Sequence, residues 1–169
     1  IVGKVFGTAD LAFYDQGKKY PSLLVENINT SINKVMLPAY SKQQDDLKQL
    51  CNILRRSISV GIYTLTPVLF GFIVVADSFV HVIMTDKWLD CVPFMQIFCL
   101  SYLTRPLESS CSQALLAIGK SGLALFRMIV INVISLLSIL VAVFVLHSVL
   151  AIALFSLLST LVSLSLALF

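Results

Sequence analysis

The sequence predicts an all-α integral membrane protein. Of its 169 residues 58% are hydrophobic, only 12% are charged against about 25% in an ordinary soluble domain, and the mean hydropathy is +0.94. The most telling stretch runs from Met128 to Phe169, 42 residues without an Asp, Glu, Lys or Arg. As one helix it would be about 63 Å long, roughly twice the hydrocarbon thickness of a bilayer. It must therefore fold back on itself, and the turn it offers is HSV at His147 to Val149.

Five membrane helices are expected, at about 11–40, 57–84, 92–118, 121–146 and 148–169. The first is the least apolar, since Lys18, Lys19, Glu26, Asn27, Asn29, Asn33 and Lys34 interrupt it; a hydropathy window alone passes over such a segment. The second is the plainest. Ser57 to Ala76 is uncharged over 20 residues, and Pro67 in its middle predicts a kink, because it removes a backbone donor that neighbours must compensate. Pro93 opens the third helix and Gly119 closes it. The last two share the long uncharged run. The chain begins with Ile1 and stops inside an apolar stretch, so a fragment of a longer protein is expected, with no signal peptide in view.

Loop charge gives an orientation. SKQQDDLKQLCNILRR holds Lys42, Lys48, Arg55 and Arg56, and the next loop on that face, GKSG, adds Lys120, with Arg127 just inside the following helix. The opposite loops, TDKWLDCVP and the His147 turn, supply only Lys87. By the positive-inside rule the first face is cytoplasmic. Asp77 and His81, four residues apart near the outer end of the second helix, have the spacing of a proton relay, though ordinary interfacial residues have it too.

Two polar seams carry the functional signal. Ser101, Arg105, Glu108 and Ser112 recur at i, i+4, i+7 and i+11, and Lys19, Ser22, Glu26, Asn29 and Asn33 at i, i+3, i+7, i+10 and i+14. Both spacings keep to one helix face. A charge at the bilayer centre costs about 2.5–3.5 kcal/mol, so Arg105, Glu108 and Glu26 facing lipid would together cost roughly 8–10 kcal/mol. The seams therefore face protein or a hydrated cavity. A local Arg105–Glu108 ion pair that merely glues helices is the simpler alternative, but it does not account for the second seam. Amides and hydroxyls suit sugar hydroxyls, and Arg and Lys suit phosphate.

Other chemistries find no support in the residues. The four cysteines, Cys51, Cys91, Cys99 and Cys111, have no CxxC spacing and no His cluster beside them, so neither a metal site nor a disulfide framework is expected. With no nucleophile–base arrangement and no Gly-rich phosphate loop, no enzyme, no cofactor and no nucleic-acid partner is expected.

Three stretches carry a family resemblance: LAFYDQGKKYPSLLVENINTSINKVMLPAYSKQQDD, then RRSISVGIYTLTPVLFGFIVVADSFVHVIMTDKWLDCVPFMQIFCLSYL, then ALLAIGKS. Over about residues 8 to 122 the chain resembles the C-terminal half of bacterial polysaccharide flippases, of the O-antigen, lipopolysaccharide or teichuronic-acid type, within the multidrug/oligosaccharidyl-lipid/polysaccharide flippase superfamily. One departure stands out: where the family usually has Gly after VIM, this sequence has Thr85.

The resemblance implies two six-helix lobes about a central cavity, with residues 1–169 supplying five helices of the second lobe and the N-terminal lobe missing. It implies multi-pass residence in the bacterial cytoplasmic (inner) membrane, and export of a polyprenyl-pyrophosphate-linked oligosaccharide from inner to outer leaflet by alternating access for cell-surface polysaccharide biosynthesis. The binding residues would be Lys18, Lys19, Glu26, Asn29, Asn33, Arg105 and Glu108, within membrane lipid, with a coupling proton or sodium ion left open. The alternatives are a cation-coupled multidrug antiporter, for which Glu26 or Glu108 would titrate, and a non-transporting membrane scaffold.

Overall fold

The computed structural model describes residues 8–43 and 46–141, with side chains over 11–43 and 46–137, and the single positions 157 and 160. All regular structure among the described residues is helical. Helix α1 spans Thr8–Lys42, passing through Pro21 and Pro38, and α2 spans Leu47–Phe79. A π-helical turn, Val80–Met84, and a 3-10 turn, Asp86–Cys91, then lead to α3, Val92–Tyr102. Helices α4, Arg105–Ala117, and α5, Ser121–Val141, follow. The expected helix at 148–169, apart from Leu157 and Thr160, and the His147 turn lie outside the described residues.

Two expected boundaries move. Helix α2 starts ten residues before the expected 57, because Asp46 caps it: Lys48 N and Gln49 N donate to Asp46 Oδ1 at 2.9 and 3.2 Å. Lys48, Arg55 and Arg56 therefore ride on helix rather than loop. The expected single helix 92–118 is two helices, broken at Leu103 and Thr104. Pro106 explains the break, since it has no N–H for the Tyr102 carbonyl and its ring crowds that carbonyl. Thr104 Oγ1 donates to Ser101 O at 3.0 Å at the interruption. Pro67, by contrast, lies inside an unbroken α2.

The core sits where α1, α2 and α3 meet. Ser57, Gly61, Leu65, Leu69, Ala76 and Val80 form a buried stripe along one side of α2 and the turn after it. Leu65 and Leu69 meet Val25 of α1 and Phe94, Phe98, Cys99 and Tyr102 of α3, while Ala76 and Val80 meet Cys91, Val92 and Met95. Edge-on aromatic pairs join the elements, with centroid separations of 5.6 Å for Phe13–Trp88, 5.2 Å for Tyr14–Phe98 and 5.1 Å for Tyr20–Phe79. The other side of α2 is apolar but uncovered: Tyr63, Val74 and Val82 are about four-fifths exposed. The span Leu47–Met84 is long and apolar enough to cross a membrane, and among the described residues it is the one helix that is.

Two glycines set the helix separations. A Cβ on Gly17 of α1 would lie 2.6 Å from Phe94 Cβ and 3.1 Å from the Cys91 carbonyl oxygen, and one on Gly61 of α2 would lie 2.6 Å from Pro106 Cβ. Real side chains do not approach so closely, so α1 meets α3, and α2 meets the start of α4, through glycine. The corner between α2 and α3 is the opposite case. Thr85 takes φ 77° and ψ 159°, a region that favours glycine, so a β-branched residue stands in strained backbone there.

Candidate functional site

A cavity of about 660 Å³ opens between α1, α4 and α5, with Tyr102 of α3 at its edge. Helix α1 contributes Ser22, Val25, Glu26, Asn29 and Thr30, and α4 contributes Arg105, Glu108, Ser109, Ser112 and Leu116. Helix α5 lines the remaining side with Ser121, Ala124, Leu125, Arg127, Met128, Ile131 and Asn132. Polar and apolar walls thus meet around one space.

The break before α4 positions the cation. Arg105 is the first residue of α4, and its Cζ lies 5.5 Å from the centroid of the Tyr102 ring. Its Nη1 is 3.8 Å from Glu108 Oε2, with the Arg105 side chain 54% exposed and that of Glu108 18%. This is a loose i,i+3 pair in an open setting, where an ion pair contributes at most about 1 kcal/mol. The guanidinium also has a ring face to rest on.

The two seams fare differently. Ser22, Glu26 and Asn29 of the α1 seam line the cavity together, and Thr30 joins them. Asn33 does not line it: its Nδ2 donates to Ser109 Oγ at 2.6 Å, tying α1 to α4, and on the neighbouring residue Ser110 Oγ lies 3.2 Å from Ser57 Oγ of α2. Lys18 and Lys19 are exposed on α1 outside the cavity wall, and the Lys19 carbonyl accepts from Ser22 Oγ at 2.8 Å. On the other seam Arg105, Glu108 and Ser112 line the cavity. Ser101 does not. It belongs to the helix before the break, is buried, and donates to Ile97 O at 3.1 Å. The i, i+4 step from Ser101 to Arg105 assumed an unbroken helix, and Pro106 ends that assumption.

Arg127, grouped by sequence with the cytoplasmic charges, lines the cavity, and its Nε and Nη2 are buried without a hydrogen-bond partner among the described residues. Asn132, which stands in the 42-residue uncharged run, lines the cavity as well. The surrounding hydrophobicity hid Asn132. His81 pairs with Asp86 across the corner between α2 and α3 rather than with Asp77.

Among the described residues there is no group of three or more His, Cys, Asp or Glu side chains able to hold a metal ion. Cys91, in the turn between α2 and α3, is fully buried; burial raises its thiol above the ordinary range, opposed by its own backbone hydrogen bond and assisted by Asp90. It is a packing residue rather than a nucleophile.

Comparison with known proteins identifies relatives of the same kind. The profile of the polysaccharide biosynthesis protein family matches residues 1–93. An uncharacterized membrane protein in the cps region of Klebsiella pneumoniae is 29% identical over 124 residues, covering 73% of this chain and 26% of that protein. The lipopolysaccharide biosynthesis protein WzxC of Escherichia coli strain K12 is 27% identical over 118 residues, covering 69% and 24%. The teichuronic acid biosynthesis protein TuaB of Bacillus subtilis strain 168 is 23% identical over 126 residues, covering 75% and 26%. The alignments span about a quarter of the length of these relatives. No solved structure matches the chain significantly. The α1 wall of the cavity falls inside the family match and the α4 and α5 walls beyond it, and on the strength of that match the chain belongs to the polysaccharide biosynthesis protein family, the polysaccharide flippase kinship that its motifs resemble.

Proposed function

We infer that this chain is the C-terminal lobe portion of a two-lobe membrane transporter that moves a polyprenyl-pyrophosphate-linked oligosaccharide from the cytoplasmic to the outer leaflet of the bacterial cytoplasmic membrane. The observation that carries this is the cavity, in which the hydroxyls and amides of Ser22, Asn29 and Thr30 stand across from the guanidinium of Arg105. Sugar hydroxyls match the first set, and phosphate matches the second. Family membership and the names of the lipopolysaccharide and teichuronic acid relatives support a role in polysaccharide assembly.

In this reading the helices span the membrane with the Lys42 to Arg56 face in the cytoplasm. The missing N-terminal lobe closes the cavity, and the prenyl tail stays in lipid while the polar head crosses. No covalent bond of the substrate changes. Arg105 contacts pyrophosphate, Glu108 holds the guanidinium when the site is empty, and Lys18 and Lys19 receive the phosphate as the cavity opens outward. The lone ion pair is the weaker account of Arg105, because the Glu108 contact is long and the side chain half exposed.

Arg105→Lys in the full-length protein tests this, because it keeps the charge and removes the planar fork. Surface glycan should fall by about tenfold or more at unchanged protein level, the loss expected for one charge-assisted contact. Full surface glycan in both Arg105→Lys and Arg105→Ala would remove Arg105 from the substrate path.

The carboxylates in the cavity favour one second reading, a cation-coupled drug antiporter of the same superfamily in which Glu26 or Glu108 carries the proton. Glu26→Gln tests the coupling role. A pH-independent residual transport marks Glu26 as the coupling group, and normal transport at every pH excludes it.

A further inference from the structure

Helices α3 and α4 follow one another in the chain but are held by different means. On α3, Phe94, Phe98, Cys99 and Tyr102 interlock with Leu65 and Leu69 of α2 and with Val25 of α1. The buried face of α4 is Pro106, Ser110 and Ala114, at i, i+4 and i+8, with no large apolar side chain among them. Pro106 meets α2 at Gly61, which has no side chain to catch it. What fixes α4 is polar. Asn33 Nδ2 of α1 donates to Ser109 Oγ at 2.6 Å, and Ser110 Oγ lies 3.2 Å from Ser57 Oγ of α2, with Ser57 and Ser110 both buried. A hydrogen bond between helices within a membrane shifts an equilibrium by about threefold on average, whereas a buried aromatic side chain shifts it by about a hundredfold or more.

The junction between the two helices is a weak point in the backbone ladder. Leu103 N donates to Leu100 O at 3.3 Å and Leu107 N to Thr104 O at 3.1 Å, so bonds of the 3-10 kind stand on both sides of the break. No side chain caps α4 at its start. At its other end Gly119, with φ 78°, closes α4, its N–H donating to Leu116 O at 3.0 Å, and α5 begins two residues later at Ser121. A tight turn thus ties α5 to α4.

Resting on the transporter reading, we propose that α4 and α5 swing as one body about Leu103 and Thr104, and that the two hydrogen bonds of α4 form the clasp that keeps them against α1 and α2. Helix α3 stays with the aromatic core as the fixed half. The Gly119 end travels furthest, so release widens the cavity beside Leu116 and Ser121, which is the cytoplasmic side by loop charge. The clasp is part of the cavity wall, because the Ser109 hydroxyl that accepts from Asn33 also lines the cavity.

Two experiments on the full-length protein test this. In a background with Cys51, Cys91, Cys99 and Cys111 replaced by alanine, whose export is the reference, Ser57→Cys with Ser110→Cys puts two thiols where the serine hydroxyls meet. Oxidation in cells should link them and lower the surface glycan made afterwards in proportion to the linked fraction. Reduction should restore it, and either cysteine alone should be indifferent to the oxidant. In detergent, Asn33→Ala should speed amide exchange over residues 105–117 by about threefold, the value of one interhelical hydrogen bond, and leave residues 92–102 unchanged.

Full export by fully linked protein overturns the proposal, and so does a cysteine pair that will not link. Equal acceleration of both segments, or of neither, overturns it as well, since α3 and α4 would then be held alike. Each of these results with export intact leaves the transporter reading standing. If the unsubstituted protein exports no glycan, that reading falls instead, and the exchange contrast between α3 and α4 decides the clasp by itself.

Discussion

Helices α1 and α5 face each other across one cavity with contrasting construction. The cavity face of α1 carries Ser22, Glu26, Asn29 and Thr30, and the same helix is anchored by Gly17 against Phe94, by Tyr14 against Phe98 and by Asn33 against Ser109. The cavity face of α5 is mostly apolar around Arg127, and a side chain at its Gly122 would meet nothing within 4 Å. Leu123, Phe126, Ile129 and Val133 on α5 are exposed. One wall is braced from behind by protein, while the other presents bare hydrocarbon there. Polar groups that must be aimed need a rigid backing, and a surface that meets lipid does not.

The sharpest way to break the comparison is a matched pair of substitutions. Gly17→Val should cost about 2–3 kcal/mol, because its Cβ would strike Phe94 and the Cys91 carbonyl; Gly122→Val should stay within about 0.5 kcal/mol. Chemical unfolding of the full-length protein in detergent measures both. Equal losses would show that α5 is backed as tightly as α1.

A smaller effect of opposite sign is expected at the corner between α2 and α3. Thr85→Gly should stabilise by about 1 kcal/mol, or about 2–4 °C in Tm, since glycine adopts φ 77° without its Cβ penalty. The gain is limited by the freedom glycine adds to the unfolded chain. This corner connects α2 to α3, the helix on which α1 rests, so the substitution sharpens the contrast by firming one wall alone. A lower Tm would mean that Thr85 makes compensating contacts its backbone does not reveal.

How far the sequence discloses this arrangement depends on what each residue competes with. The α1 seam is legible because its polar residues recur at a helical period amid apolar ones, and three of its five members line the cavity. Asn33 obeys the same period but serves packing, which periodicity cannot distinguish from binding. Arg127 is hidden for the reason that loop charges are informative: a cation seven residues into a helix is counted with the nearest loop. The early start of α2 was written in Asp46, whose carboxylate two residues before Lys48 is a capping signal, but the run of charges around it read as a loop. Pro106 signalled the break after Tyr102, and the helical recurrence of Ser101, Arg105 and Glu108 across it masked it.

That break also resets phase. Each residue added to a continuous α-helix turns everything beyond it by about 100°, so an unbroken helix from Val92 to Ala117 would lock the direction of Arg105 to the packing of Phe94 and Phe98. With the helix interrupted at Leu103 and Thr104, the aromatic packing of α3 keeps its own register and the cavity face of α4 is counted afresh from Arg105. Anchor and cation are thus adjacent in the chain but angularly independent.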